Sequence, residues 1–556
     1  MTGFPSLIRI PLGWFTGDFW RSMSTLLSRK LDMQSQKAPN WLFTKSINEA
    51  TPDRIELASG ALVIAAPVAL HLAQSKSHTL EASDNYLEAM DTSIKLRDDY
   101  LRRDIAGHYK TNLALIALSR PYSFWHPANE STLDRWCIFA HEYSHFLHNF
   151  STVSGLHDMI IHLRLTRYFR NTVGTDGNSR GMAALNDEER AEVGKWLRWR
   201  EHLRGTLRPF DPEYHRTDVQ IRINSTWHSR ESLNFSTQPH LPLPLEDSYV
   251  SFAVWSQTTP KEECEVLFGS WHIMEALAYE IERTIFKANE ADVALIDTRT
   301  DTYPYKLGRL LFHHLSKQQP AQTVMTRVCL MALQSSDPGA AFIELATEFG
   351  KRPAGEPDHV TLKRFEDITL REFRRTFASL THLTLHPEFN LFGSGTGPVA
   401  AALATLSDMS QRYIDLRAKD HFFELNLFEH VLDRAHFHQL LQSYPPCPIV
   451  HEADFGHPPE FFNLSLTELS GKAVEALCAY QAFGQFMQSH LRSDGFVATA
   501  RCPPRRCIFF GACAAPQATH APHLCQTKPW SAFDPNDLTG CLYAAAVSAA
   551  RGRADL

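Results

Sequence analysis

Residues 141–145 read His-Glu-Tyr-Ser-His, and no other stretch limits the chain so narrowly. Residues four apart stack one turn above each other on a helix, so His141 and His145 aim their imidazoles at one point. Glu142 lies roughly a third of a turn away. From there its carboxylate reaches a water held at that point rather than the point itself, which is where a general base belongs. The flanking residues predict the helix. Ser131 to Phe150 carries no Pro or Gly, Ser131 suits the N-cap, and Asp134 suits the positive end of the helix dipole. Trp136, Phe139, Ala140, Tyr143 and Phe146 recur at intervals of three and four, so the helix is expected to be largely buried. Burying two imidazoles and a carboxylate without partners is costly, and a shared divalent cation removes that cost for all three. The plainer alternative is a helix whose His and Glu simply hydrogen-bond to neighbours.

A catalytic zinc site takes three protein ligands and keeps one position open, so a third ligand is required. Ser151 stands ten residues after His141, where a metzincin carries its third histidine, and that pattern is excluded. A glutamate on a separate helix is the other common solution. Glu275 fits: it is the only acidic residue from Ser270 to Tyr279, among Met274, Ala276, Leu277 and Ala278, whose small members let a second helix approach closely. Glu280 and Glu282, with Arg283 and Lys287 nearby, read instead as a solvated charged face. Tyr279, one turn after Glu275, is placed to orient a ligand.

The runs His-Glu-Tyr-Ser-His-Phe-Leu-His-Asn-Phe-Ser-Thr and, far downstream, Met-Glu-Ala-Leu-Ala-Tyr-Glu-Ile-Glu resemble the gluzincin clan of zinc metallopeptidases, in particular its poorly characterised bacterial members. The resemblance covers two segments of about ten residues each. It implies a zinc ion bound by His141, His145 and Glu275, with Glu142 as the base. Two features depart from better-known members: about 130 residues separate His145 from Glu275, and Tyr279 replaces the aspartate often found four residues after the glutamate.

The expected chemistry follows from the charges. Zinc lowers the pKa of its bound water to around 7, Glu142 takes that proton, and the same carboxyl later delivers it to the leaving amine. The developing oxyanion needs a further donor, and Tyr303 and Tyr305, on either side of Pro304, are the candidates. Their plainer reading is as packing aromatics. The strand-like run Asn112 to Leu118 is expected to border the site and pair with an extended peptide. A peptide or protein is therefore the expected substrate, although the same water activation would serve a non-peptide amide or ester.

A second constellation lies near the end of the chain, where Cys502, Cys507, Cys513 and Cys525 fall within 24 residues among Pro503, Pro504, Gly511 and Pro516. Their intervals fit no zinc ribbon, and a second zinc, an iron–sulfur cluster and unligated thiols all remain open. A competing reading of the whole protein follows: a non-catalytic scaffold in which zinc is structural and this loop binds a partner. Arg501, Arg505 and Arg506 form a small basic spot there.

At 556 residues the chain is too large for one ordinary core. The expected class is α+β and mainly α-helical, a zincin-like core with an active-site helix and a small sheet, followed by a helical C-terminal region. The breakers divide it into an N-terminal region (1–50), a metallopeptidase domain (51–350) with a β insertion around 215–257, a helical domain (351–490) and a Cys-rich segment (491–556). A helix is expected over 84–103, Gly155 is expected to mark the exit of the motif helix, Pro239–Pro244 reads as a loop, and His430, His436 and His438 read as packed or solvated. A net charge of −7 argues against a broad nucleic-acid-binding face. Arg9 and Asp18 interrupt the apolar Leu7–Trp20 stretch, so neither a signal peptide nor a membrane span is expected, and the cytoplasm is the expected location. Nothing in the sequence fixes an oligomeric state.

Overall fold

The computed structural model describes residues 7–9, 43–44, 56–57, 61–63, 107–118, 133–206, 219–229, 248–256, 263–380, 397–428, 449–452, 460–463, 471–510, 521–532 and 541–550. These are mainly helical, with short strands, as expected. The helix expected over 84–103, the Pro239–Pro244 loop, and His430, His436 and His438 lie outside the described residues.

The strands are β1 (Leu7–Arg9), β2 (Phe43–Thr44), β3 (Glu56–Leu57), β4 (Ala61–Val63), β5 (Gly107–Lys110), β6 (Leu115–Leu118), β7 (Val219–Ser229), β8 (Ser248–Ser256), β9 (Glu263–Leu267), β10 (Ile449–Glu452) and β11 (Glu460–Asn463), with a small hairpin of β12 (Leu491–Arg492) and β13 (Gly495–Phe496). One mixed sheet runs in the order β3-β2-β4-β1-β11-β10-β6-β5, drawing strands from regions far apart in sequence. Strands β7, β8 and β9 form a separate antiparallel sheet; β7 and β8 lie where strand formers were read around 215–257, and β9 falls beyond those bounds.

The helices are α1 (Leu133–Ser151), α2 (Val153–Arg170), α3 (Asp187–Arg204), α4 (Ser270–Ala288), α5 (Val293–Arg299), α6 (Leu307–Ser316), α7 (Gln322–Leu333), α8 (Pro338–Gly350), α9 (Asp358–Leu380), α10 (Pro398–Lys419), α11 (Phe423–Phe428), α12 (Gly471–His490), α13 (Pro522–Thr527) and α14 (Leu542–Ala550). Helix α1 carries the His-Glu-x-x-His motif and is buried on all sides from Phe139 to Phe150, as its apolar spacing predicts. It packs against α2, α4, α10 and β5. Phe146 sits at the centre of that packing, its ring edge-on to Tyr109 of β5 at 6.0 Å and to Tyr413 of α10 at 5.3 Å.

The exit of α1 differs from expectation. The helix stops at Ser151, Thr152 caps the next helix by accepting from the Gly155 N–H at 3.1 Å, and α2 begins at once. Gly155 thus lies inside α2, not at the end of α1. Its role is close approach: a Cβ there would stand 2.2 Å from the His148 carbonyl oxygen, so only glycine lets the first turn of α2 fold back onto α1.

The run Asn112 to Leu118 is likewise not one strand. Asn112 and Ala114 have φ of 66° and 49°, which turns the chain between β5 and β6. Strand β6 is paired on both sides, antiparallel with β5 and parallel with β10, and has no edge to offer a peptide. The edge of the described sheet is β5. Among the described residues no helix is long and apolar enough to cross a membrane.

Candidate metal centre

Helix α1 supplies His141, Glu142 and His145, and α4, packed against it, supplies Glu275. Glu275 Oε2 lies 3.2 Å from His141 Nε2 and 3.5 Å from His145 Nε2. A tetrahedral ion with bonds of about 2.1 Å needs its ligand atoms roughly 3.4 Å apart; both Glu275–imidazole separations match that, and all three donor atoms lie within 4.8 Å of one another. The two imidazoles are 4.8 Å apart between centroids and set nearly perpendicular. Among the described residues this is the only group of three His, Cys, Asp or Glu donors close enough to share an ion. Two nitrogens and one carboxylate oxygen suit a divalent cation of intermediate hardness.

The electrostatics fit a site awaiting positive charge. Burial raises the Glu275 pKa, but His145 and His141 more than offset it and hold the carboxylate well below the usual range. For His141 burial acts to lower the pKa, yet hydrogen bonds to Glu275 and Glu282 leave it well above the ordinary imidazole value.

Glu282 was not foreseen. Its Oε1 lies 2.6 Å from His141 Nδ1, the nitrogen that faces away from Glu275. A carboxylate there fixes the tautomer that leaves Nε2 bare for a metal and holds the ring plane. Seven residues after Glu275, Glu282 falls on the same face of α4 two turns on. The solvated face expected for it and for Glu280 is therefore corrected: Glu280 is fully buried, with both oxygens bound by the Arg309 guanidinium.

Tyr279 does not orient a ligand either. Its hydroxyl donates to Asp297 Oδ1 at 2.5 Å and accepts from Arg283. The two oxyanion candidates separate. Tyr303 is buried, its hydroxyl donating to the Thr206 carbonyl at 2.9 Å and lying 3.0 Å from His272 Nε2, which makes it a packing residue. Tyr305 is half-buried and stands edge-on to the His141 ring at 5.6 Å, so it alone of the pair adjoins the centre.

Glu142 is buried beside the cluster, and burial raises its pKa, with His141 and His145 pulling the other way. The backbone N–H of Tyr109, on β5, donates to its carboxylate. The hairpin that carries Tyr109 is locked to α1 by a chain of polar groups the sequence did not announce. Asn149 Oδ1 accepts from the Tyr109 hydroxyl at 2.8 Å and the Asn112 N–H at 2.9 Å, and Asn149 Nδ2 donates to Asn112 Oδ1 at 2.9 Å. Asn112 Nδ2 in turn donates to Asp158 Oδ2 at 2.7 Å.

His148, two turns after His141 along the same face of α1, is fully buried and takes no part in the cluster. Burial, reinforced by Arg417, holds it neutral. Arg417 forms a fully buried pair with Glu424 and donates to Ser151 Oγ at 2.7 Å, which pins the last turn of α1 to α10 and α11.

The cysteines do not gather in the same way. Cys502, Cys507 and Cys525 form no three-donor group among the described residues, and Cys513 lies outside them. The Cys507 N–H donates to the Cys525 carbonyl at 2.7 Å, while the buried Cys502 thiol, pushed up to about 11 by burial, faces the Ser489 carbonyl.

Compared with known proteins, the chain matches no family model, no curated protein and no solved structure.

Proposed function

We propose that the protein is a zinc-dependent metallopeptidase of the gluzincin type. The carrying observation is the convergence of Glu275 on both motif imidazoles with Glu142 beside them and a second carboxylate, Glu282, behind His141. His141, His145 and Glu275 would hold the ion, which supplies acidification of a water and polarisation of the scissile carbonyl. Glu142, whose pKa burial raises, would accept a proton from that water and return it to the leaving amine. Glu282 keeps the His141 ring in one orientation through both steps. Tyr305, adjacent to His141, is placed to donate to the oxygen on which charge develops. Strand β5 borders the centre, since the Tyr109 backbone N–H donates to the Glu142 carboxylate, and a peptide is the substrate proposed.

The test separates metal binding from chemistry. Glu142→Gln should keep one zinc per chain by elemental analysis and lose peptide hydrolysis, whereas His145→Ala should lose both. Hydrolysis surviving in Glu142→Gln would overturn the assignment.

A further inference from the structure

Helices α2 and α3 pack against each other, and their contact is fixed where Asp158, early in α2, takes Arg204, late in α3. The Arg204 Nε and Nη2 each donate to one carboxylate oxygen of Asp158 at 2.5 Å. One turn onward along α2 stands His162, and one turn back along α3 stands Arg200, so the antiparallel register brings those two together. Two guanidinium groups thus share one carboxylate, both of whose oxygens are already bound by Arg204 and one also by Asn112 Nδ2.

Arg200 has no ion pair or hydrogen bond among the described residues. His162 is only 3% exposed, and its Nε2 likewise has no partner. A buried nitrogen without a partner, as at His162 Nε2, is unfavourable. Burial, with Arg204 as a like-charged neighbour, pushes the Arg200 pKa down to about 9, and Asp158, which acts in the other direction, is a counter-charge shared with Arg204. Arg200 and Arg204 are half-buried rather than sealed, so a small solute reaches them from solvent. Apart from Asp158, the polar side chains that the two helices bring together there are donors: two planar guanidinium forks and an imidazole nitrogen.

We infer that the α2–α3 contact is an anion site in which Arg200, Arg204 and His162 take a small tetrahedral oxyanion of the phosphate or sulfate type. The guanidinium of Arg200 grips two oxygens side by side, His162 Nε2–H donates to a third, and Arg204 shares its charge between the anion and Asp158. This inference does not rest on the metallopeptidase reading, because none of its residues belongs to the metal cluster.

The experiment is a titration of the full chain with inorganic phosphate, and separately with sulfate, against chloride at constant ionic strength. Melting temperature and calorimetric heat are the readouts. Saturable binding and a rise in melting temperature are expected with one or both oxyanions, and which of them binds more tightly names the natural charge. Arg200→Gln should weaken that binding at least tenfold, and it should melt higher than the wild type in anion-free buffer but lower in saturating phosphate. A merely structural arginine would lower stability in both buffers. Should Arg200→Gln fail to fold, Arg200→Lys keeps the charge without the fork and should bind several-fold more weakly. Response to both oxyanions no greater than to chloride, or unchanged affinity in the Arg200 variants, would overturn the site.

Discussion

A carboxylate 2.6 Å from the far nitrogen of His141 makes Glu282 a group whose loss is felt by a metal more than by the fold. Glu282→Gln should weaken zinc binding about 10- to 100-fold in a chelator competition while leaving the metal-free protein's melting nearly unchanged. The two tyrosines give opposite outcomes. Tyr305→Phe should cut kcat by about 100-fold with little change in KM. Tyr303→Phe should instead cost about 1–3 kcal/mol of stability, read by denaturant titration, because His272 and Thr206 lose a buried partner. At this scale the sequence was informative where chemistry follows helical period. His141, Glu142 and His145 are set by spacing alone, and Glu275 by being acidic in an apolar run. Glu282 was opaque for a physical reason: with Arg283 beside it, its pattern is that of any wet helix face, and only the docking of α4 on α1 decides which side is inward.

Among elements, the β5–β6 hairpin shows how the Glu142 carboxylate is held. Its hold on α1 passes through Asn149, which satisfies a hydroxyl, a backbone N–H and a side-chain carbonyl at once. Asn149→Ala leaves those groups buried and unpaired, and should cost about 1–3 kcal/mol. It should also lower kcat with zinc content retained, since the Tyr109 N–H that steadies Glu142 rides on that hairpin; unchanged turnover in a folded Asn149→Ala would break this link. Asn112 to Leu118 was read from sequence as one strand-like run because Ala114 at positive φ has no compositional signature, and the turn is held by tertiary contacts. The α1–α2 junction misled in the opposite sense: a glycine read as a terminator serves to let two backbones touch.

For the molecule as a whole, buried histidines set its behaviour in acid. His157 and His162 are both lowered to about 3 by burial, with Arg200 adding to the effect on His162. Below pH 6.5 the unfolded chain binds protons that the folded one refuses. Their neutral burial is therefore no liability above pH 6.5, and stability is lost as pH falls from there toward 3, at up to about 1.4 kcal/mol per pH unit for each ring. Denaturant midpoints measured from pH 7 to 4 in phosphate- and sulfate-free buffer should fall steeply, and a flat profile would remove these rings from the account. The mainly helical class and strands β7 and β8 of the insertion were readable from periodicity and breakers. The pinning of α1 by Arg417 was not, because a lone arginine in a helical run carries no sign of the distant Ser151 it will meet.

The placement of β7–β9 between the paired imidazoles and their carboxylate has a consequence during synthesis. The ribosome releases His145 about 130 residues before Glu275, a delay of roughly 7–26 s at ordinary translation rates. Throughout that interval the growing polypeptide holds two of three donors and no orienting Glu282. On the proposed reading, hydrolysis of its own unfinished length or of its neighbours would be out of reach until α4 has emerged and closed onto α1.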